Sequence, residues 1–372
     1  LSAVADHPDI LLIQPPLIGA GFAACILTVL NYVRYCEREG LIPVVHIDDS
    51  CDTRFLDRRY GDDVWAQYFE PVGPWSSADL VRLLAGSEGG AVTPRIRRVD
   101  AALAEAIKAD RDSIFTWTFG QWRHDVPADL PAWFAEQRRK GRETVHRFVR
   151  VKPHVQEKAD RYFEAELGGR HVLGLHMRGT DLAYAPPVTP AEYFAPIDRY
   201  LDAHPDALLF LATDQVQYLD LMRKRYGDIV RSYDCLRSRT ATAPFEMSAG
   251  SPYQKGEDVL IDILLLSRCA FLIRGASNIP EMAIYFSDGL ESLDLSLEKR
   301  FAFGQDYMQR WSPLAARPAW ELIGRTDLER VPATAGASGG AERMAYEARR
   351  AWASVRRPWR RLRRAWRHAR PW

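Results

Sequence analysis

Short apolar runs alternate with stretches of helical periodicity along most of the 372 residues, and this alternation constrains the fold more than any other feature. A strand that is apolar at successive positions needs cover on both faces, and helices supply that cover when strands run parallel. The first unit is Ile10–Ile13, Pro15-Pro16, a glycine turn at Gly19-Ala20-Gly21, a helical pattern to about Glu39, and a second strand at Ile42–Ile47. Such a β-turn-α-β unit is the building block of a parallel sheet. Ile114–Phe119 is a further strand candidate, and Ala132–Leu167 reads as one long helix. After Gly168-Gly169 the rhythm restarts. Strands are expected at His171–Met177, Leu208–Ala212, Ile229–Tyr233 and Ala270–Arg274. Helices are expected at Pro190–Ala203, Val216–Tyr226, Glu257–Ser267 and Pro280–Phe286.

The chain is longer than one core needs, and two α/β domains in tandem are the economical reading. The expected boundaries are 1–167 and 168–330, followed by a small-residue linker at 331–342 and a basic tail at 343–372. A composition of 47% apolar and 27% charged residues excludes a wholly disordered or fibrous chain. Five cysteines with no CxxC pair argue against a disulfide framework or zinc ribbon, which points to a reducing, cytoplasmic setting.

The net charge of +1 is an average over two unlike parts. Residues 341–372 hold 11 Arg against Glu342 and Glu347, a net +9. The other 340 residues carry 39 basic and 47 acidic side chains, a net −8. Trp352, Trp359 and Trp366 recur every seven residues among these arginines, and Pro358 divides the segment into two amphipathic helices. Arginine with tryptophan at that spacing suits an anionic membrane surface, which places the protein peripherally at the inner membrane face. No nucleic acid partner is expected.

In open parallel sheets, ligands bind beyond the carboxyl ends of the strands. The strand VLGLHM runs into Arg178-Gly179-Thr180-Asp181, LLFLA into Thr213-Asp214, and AFLIR into Gly275-Ala276-Ser277-Asn278. A fixed cation, hydroxyls and backbone N–H groups would converge there on a phosphorylated ligand. In the first half, Gly19–Ala24 matches G-x-G-x-x-[GA], with Asp48 after the following strand. That outline allows a dinucleotide, and an NAD-binding oxidoreductase is the alternative enzyme. Asp110-Arg111-Asp112 has a metal-binding D-x-D form but precedes its strand, and the histidines show no HxH or HxxxH spacing, so no metal is expected.

Three stretches of the second half resemble the GDP-fucose-dependent fucosyltransferases, the family of the rhizobial nodulation enzyme and the animal core alpha-1,6-fucosyltransferase. His176–Asp181 (HMRGTD) resembles the family's H-x-R-R-T-D, and Leu208–Asp214 (LLFLATD) its strand ending in A-T-D. Val259–Ser277 is similar to the family's V-I-L-D-I-x-x-L-S-x-x-x-F-L-…-S. GAGFAA stands where the family has a phosphate loop, and Tyr60, Trp65 and Phe69 repeat its Y-x4-W-x3-F spacing.

The resemblance implies a GT-B-like fold, two Rossmann-like domains facing a cleft. It also implies metal-independent, inverting transfer of fucose from GDP-fucose to a glycan or lipid-linked saccharide, with no cofactor. Arg178 would neutralise the β-phosphate, His176 and Asp262 would hold guanine, and Tyr60 would contact the ribose. Ser277 with the loop Gly21, Phe22, Ala23, Ala24 would contact the pyrophosphate, beside Thr213, Asp214 and Asn278.

The chain departs from the family at Gly179, where the family has a second arginine, and at Leu182–Pro187, which lacks its carboxylate. Asp181 and Glu192 are then the nearest acids for a base, and Asp181 stands with Arg178 as a catalytic candidate. These departures leave open a related deoxy- or mannose-type donor and a non-catalytic nucleotide-sugar or glycan-binding protein.

The tail reading predicts that full-length protein floats with anionic vesicles at low salt whereas a 1–340 truncation stays behind. Equal, salt-insensitive partitioning of both forms would refute it.

Overall fold

A computed structural model of the chain describes residues 8–17, 19–51, 53–86, 94–116, 130–180 and 188–296. Asp181, the linker and the basic tail lie outside the described residues. The first half runs β1 (Asp9–Ile13), α1 (Phe22–Glu39), β2 (Ile42–Val45), α2 (Val64–Tyr68), α3 (Ser77–Gly86), β3 (Arg95–Arg98), α4 (Ala101–Ala109), α5 (Leu130–Phe148) and α6 (Pro153–Glu166). The second runs β4 (Val172–Met177), α7 (Pro190–Ala203), β5 (Leu208–Thr213), α8 (Val216–Tyr226), β6 (Val230–Arg231), α9 (Pro252–Leu266), β7 (Phe271–Arg274), α10 (Asn278–Phe286) and β8 (Ser292–Asp294).

The described strands form two wholly parallel sheets. One has the order β2-β1-β3 and the other β6-β5-β4-β7-β8. The second is the Rossmann-like order, in which the chain reverses direction across the sheet between β4 and β7. Every residue of β4 and β5 is buried, which explains why their sequences lack polar alternation.

Two expectations need correction, the first of them on its described part, since residues 117–119 lie outside the described residues. Ile114–Thr116 is not in a sheet, because the Asn31 side chain takes its backbone: Asn31 Nδ2 donates to the Ile114 carbonyl (3.2 Å) and Ile114 N–H donates to Asn31 Oδ1 (2.7 Å). The third strand of the first sheet is instead Arg95–Arg98, a charged, mostly exposed segment paired in register with β1, with Ile96 alone packing on the apolar cluster of Ile10, Leu12 and Val44. The long helix is broken at Val149–Lys152, where Glu70 N–H donates to the Arg150 carbonyl and Lys152 N–H to the Tyr68 carbonyl, and Pro153 then opens α6.

The helix α9 joins the halves. Its N-terminal turn carries Tyr253, whose ring stacks on Tyr68 (5.0 Å between centroids, 7° between planes). The Tyr68 hydroxyl donates to the Tyr253 carbonyl at 2.7 Å. On the same side Lys158 pairs with Glu257 at 2.8 Å, and the Tyr253 hydroxyl donates to Glu257. A Cβ at Gly256 would lie 2.4 Å from the Tyr68 hydroxyl and 2.9 Å from the Phe22 ring. Alanine ordinarily stabilises a helix interior over glycine by about 1 kcal/mol, but here it must force the two halves apart. Gly256→Ala is therefore expected to lower the melting temperature by several degrees. An unchanged or higher melting temperature would show that this contact is not tight.

Candidate functional site

The reversal between β4 and β7 puts the carboxyl ends of both strands beside one crevice. Arg178 follows β4 directly, and Asp214 follows β5. The Asp214 carboxylate accepts from Gly179 N–H (2.7 Å), Thr180 N–H (3.2 Å) and the Thr180 hydroxyl (2.5 Å). It lines the crevice, as expected of a donor-side residue, and its carboxylate braces the turn that carries Arg178. Thr213 Oγ1 likewise accepts from Gln215 N–H at 3.3 Å and serves the turn after β5. Gly179 has a steric reason to be glycine: a Cβ would come within 2.2 Å of Gln215 Cγ and 3.0 Å of the Tyr218 ring. The position that holds a second arginine in the family has no room for a side chain here.

His176 and Arg178 face one flank of α9 across this crevice, which Lys255, Asp258 and Asp262 line. These three recur at the spacing that places them on a single helix face. Tyr253 and Glu257 occupy the opposite face, locked to the first half. Lys255 and Asp258 were not read as site residues, although polar residues at i, i+3 and i+7 in an apolar helix are a visible signal.

His176 is buried and its Nδ1 makes no hydrogen bond among the described residues. Burial, with the cations Arg178 and Arg274 nearby, pushes its pKa down to about 3, so the ring is neutral. Arg274 is the register neighbour of His176 on β7, wholly buried, and pairs with Glu281 (2.7 Å) and Asp294 (3.3 Å). Asp262 is also buried, its Oδ1 without a hydrogen-bond partner among the described residues. Desolvation raises its pKa to about 7, opposed by Arg237 and reinforced by Asp258. Asp258, likewise raised by burial to about 6, accepts from Leu236 N–H at 2.9 Å. Both side chains line the one crevice, and each carries a buried atom without a hydrogen-bond partner among the described residues, an arrangement that costs stability.

The remaining candidates divide. Ser277 is the N-cap of α10, its hydroxyl accepting from Ile279 N–H (3.4 Å), and the adjacent Asn278 Oδ1 accepts from Thr116 (3.2 Å). Gly21 opens α1 without a side-chain cap or an acidic residue in the first turn. The side chains of Phe22, Ala23 and Ala24 turn into the core, so only backbone N–H groups can meet a ligand there. This helix end approaches the second half at Phe245, 3.8 Å from where a Gly21 Cβ would be, next to Pro244 on the crevice wall.

Tyr60 is not brought to the crevice. It is 55% exposed and stacks on Tyr253 at 4.0 Å, against the far face of α9. Glu192 forms a capping box with Thr189, accepting from its N–H (2.8 Å) and hydroxyl (2.9 Å), so its carboxylate serves the start of α7. Asp110 of the D-x-D pairs with Arg38 at 2.6 Å, away from the crevice.

No protein-family model and no curated protein matches the chain. Among solved structures it is similar to NodZ alpha-1,6-fucosyltransferase soaked with GDP-fucose. That pair is 16% identical over 79% of this chain and 97% of the other, with a TM-score of 0.48. It is also similar to fucosyltransferase NodZ from Bradyrhizobium (16%, 74% and 92%, TM-score 0.43). A third is POFUT1 in complex with GDP-fucose (9%, 78% and 99%, TM-score 0.43).

The buried Asp262 has a thermodynamic signature. Its folded pKa lies above the ordinary carboxylate value, so the folded state binds the proton more tightly. Its contribution to stability is complete at low pH and is lost as pH rises through about 7. The melting temperature should therefore fall between pH 5 and pH 8, and Asp262→Asn should flatten that slope. Parallel curves for the two proteins would contradict it.

Proposed function

We propose that this chain is a glycosyltransferase that moves a sugar from a GDP-sugar, fucose first among the candidates, to a hydroxyl of a glycan or glycolipid. The observation that carries this reading is the convergence, in one crevice at a strand-order reversal, of Arg178 on its braced turn with the buried side chains of Asp262 and His176, each incompletely hydrogen-bonded among the described residues. Guanine presents two adjacent N–H donors on one edge, and an ionised carboxylate accepts both; adenine lacks that pair. A neutral His176 supplies a further contact to the nucleoside without adding charge.

Arg178, on the turn that Asp214 braces, meets the diphosphate, and the uncapped N-terminus of the 18-residue α1 adds backbone N–H groups and the positive end of its dipole. When the bond from the anomeric carbon to the β-phosphate breaks, negative charge develops on the diphosphate. A preorganised cation stabilises that charge where it forms. In this reading Arg178 does what a metal ion does elsewhere, and the displacement inverts the anomeric centre. The basic segment 343–372 would hold the enzyme against an anionic membrane surface, near a lipid-linked acceptor.

Calorimetric titration of the full chain with GDP, GDP-fucose and NAD tests the reading. GDP and GDP-fucose should bind, and Arg178→Ala should weaken both by about 100-fold, the loss expected when a charged hydrogen-bond partner of the diphosphate is removed. Turnover of GDP-fucose then separates an enzyme from a binding protein. NAD binding without GDP binding would overturn the proposal.

A further inference from the structure

A second polar cluster lies at the corresponding edge of the first sheet. Its strand order, β2-β1-β3, has β1 at the centre with the later strand β3 on the side opposite β2, so a reversal again falls beside the central strand. Gln14 follows β1, His46 and Asp48 follow β2, and Arg98 ends β3. Arg98 donates to Gln14 Oε1 (3.1 Å), and Gln14 Nε2 reaches Asp48 Oδ2 (3.5 Å). A row of groups that donate to and accept from hydroxyls therefore lines the carboxyl ends of all three described strands.

The His46 ring is at the middle of this row and a quarter exposed. Nε2 lies 3.6 Å from Asp48 Oδ2, and Nδ1 lies 3.6 Å from Asp63 Oδ2. At that length these are electrostatic contacts rather than formed hydrogen bonds. Asp63 is itself fixed, its Oδ1 accepting from Ile47 N–H (2.9 Å) and Trp65 N–H (3.0 Å) and its Oδ2 from the Ser77 hydroxyl (3.0 Å). The Asp62 carboxylate also acts on the ring, the Cys51 thiol lies against the His46 carbonyl, and Arg98 joins the row through Gln14 and Asp48.

The chain that leaves this edge reaches the donor crevice. Arg54 pairs with Glu246 at 2.6 Å, and the Phe55 ring packs on Phe245, beside Pro244 of the crevice wall.

We propose that this edge is the acceptor site for a carbohydrate hydroxyl and that His46 is the base that deprotonates it. The inference rests on the donor reading given above. The Asp63 carboxylate facing Nδ1 favours the tautomer with its proton there through electrostatics alone, which leaves the Nε2 lone pair for the incoming hydroxyl, while Asp48, Gln14 and Arg98 orient the sugar ring. In the transfer, the acceptor O–H proton passes to Nε2 and the acceptor oxygen bonds to the anomeric carbon. The bond from that carbon to the β-phosphate oxygen breaks, and its electron pair leaves with GDP. The neighbouring carboxylates, Asp63 foremost, raise the His46 pKa against the effect of burial, so the free base forms only as pH rises.

The test uses the full chain, GDP-fucose, and water as the acceptor, with GDP release measured from pH 5 to 9. His46→Gln should lower the rate by about 100-fold and remove its acidic limb, while the affinity for GDP stays within about twofold. Asp48→Asn removes a negative neighbour, lowers the His46 pKa, and should move the acidic limb to lower pH. A wild-type rate and profile in His46→Gln would overturn the proposal, as would a parallel loss of GDP binding. If His46→Gln does not fold, an unshifted limb in Asp48→Asn overturns it. Wild-type protein that binds no GDP would instead overturn the donor reading, and this one with it, and is a separate result.

Discussion

The contact between Tyr68 and the first turn of α9 sets the geometry on which both edges depend. A tyrosine from the first half stacks flat on Tyr253 and donates to its carbonyl, and the approach is close because residue 256 has no side chain. Lys158 and His154 add polar contacts to Glu257 and Tyr253 on the same side. With one face of α9 immobilised this way, helical geometry alone turns Lys255, Asp258 and Asp262 toward His176 and Arg178. A rotation of α9 by one residue would bury those acids in the core and empty the crevice.

Around that frame the residues divide into groups that can meet a ligand and groups that hold them. Asp214, Gly179, Thr180 and Glu192 hold turns and helix ends, and only Gly179 and Thr180 sit within a few residues of the arginine that they position. Asp214 spends its carboxylate on three hydrogen bonds to the arginine turn. The groups left over, Asp262 and His176, are buried and incompletely satisfied, and their pKa values move in opposite directions for the same reason. Low polarity disfavours the charged form of each, raising the acid and lowering the imidazole.

Much of the second half was legible because its strands are covered on both faces, so the sequence is apolar without a break. The helices Pro190–Ala203 and Val216–Tyr226 begin and end where periodicity places them. β3 was not legible. RIRR offers a single apolar residue, Ile96, and its place comes from pairing with β1 and the packing of that one side chain, contacts more than eighty residues away in sequence. Ile114 looked like a strand because its side chain is buried, but its backbone was claimed by Asn31. Tyr60 fitted a spacing, but spacing does not say which face of α9 it meets. His46 gave no signal, because its partners Asp63 and Asp48 come from separate turns and only folding brings them to one ring.

The sequence by itself determined the α/β class, the parallel strands and the order of the groups at their ends, because burial on two faces and turn chemistry are local properties. It also placed the charge asymmetry between a body at −8 and a segment at +9. Only the tertiary structure decided which polar groups are free to act. A carboxylate that caps a helix, one that braces a turn and one that faces a crevice are the same side chain in sequence. Their difference lies in how many donors the packed chain brings within about 3 Å.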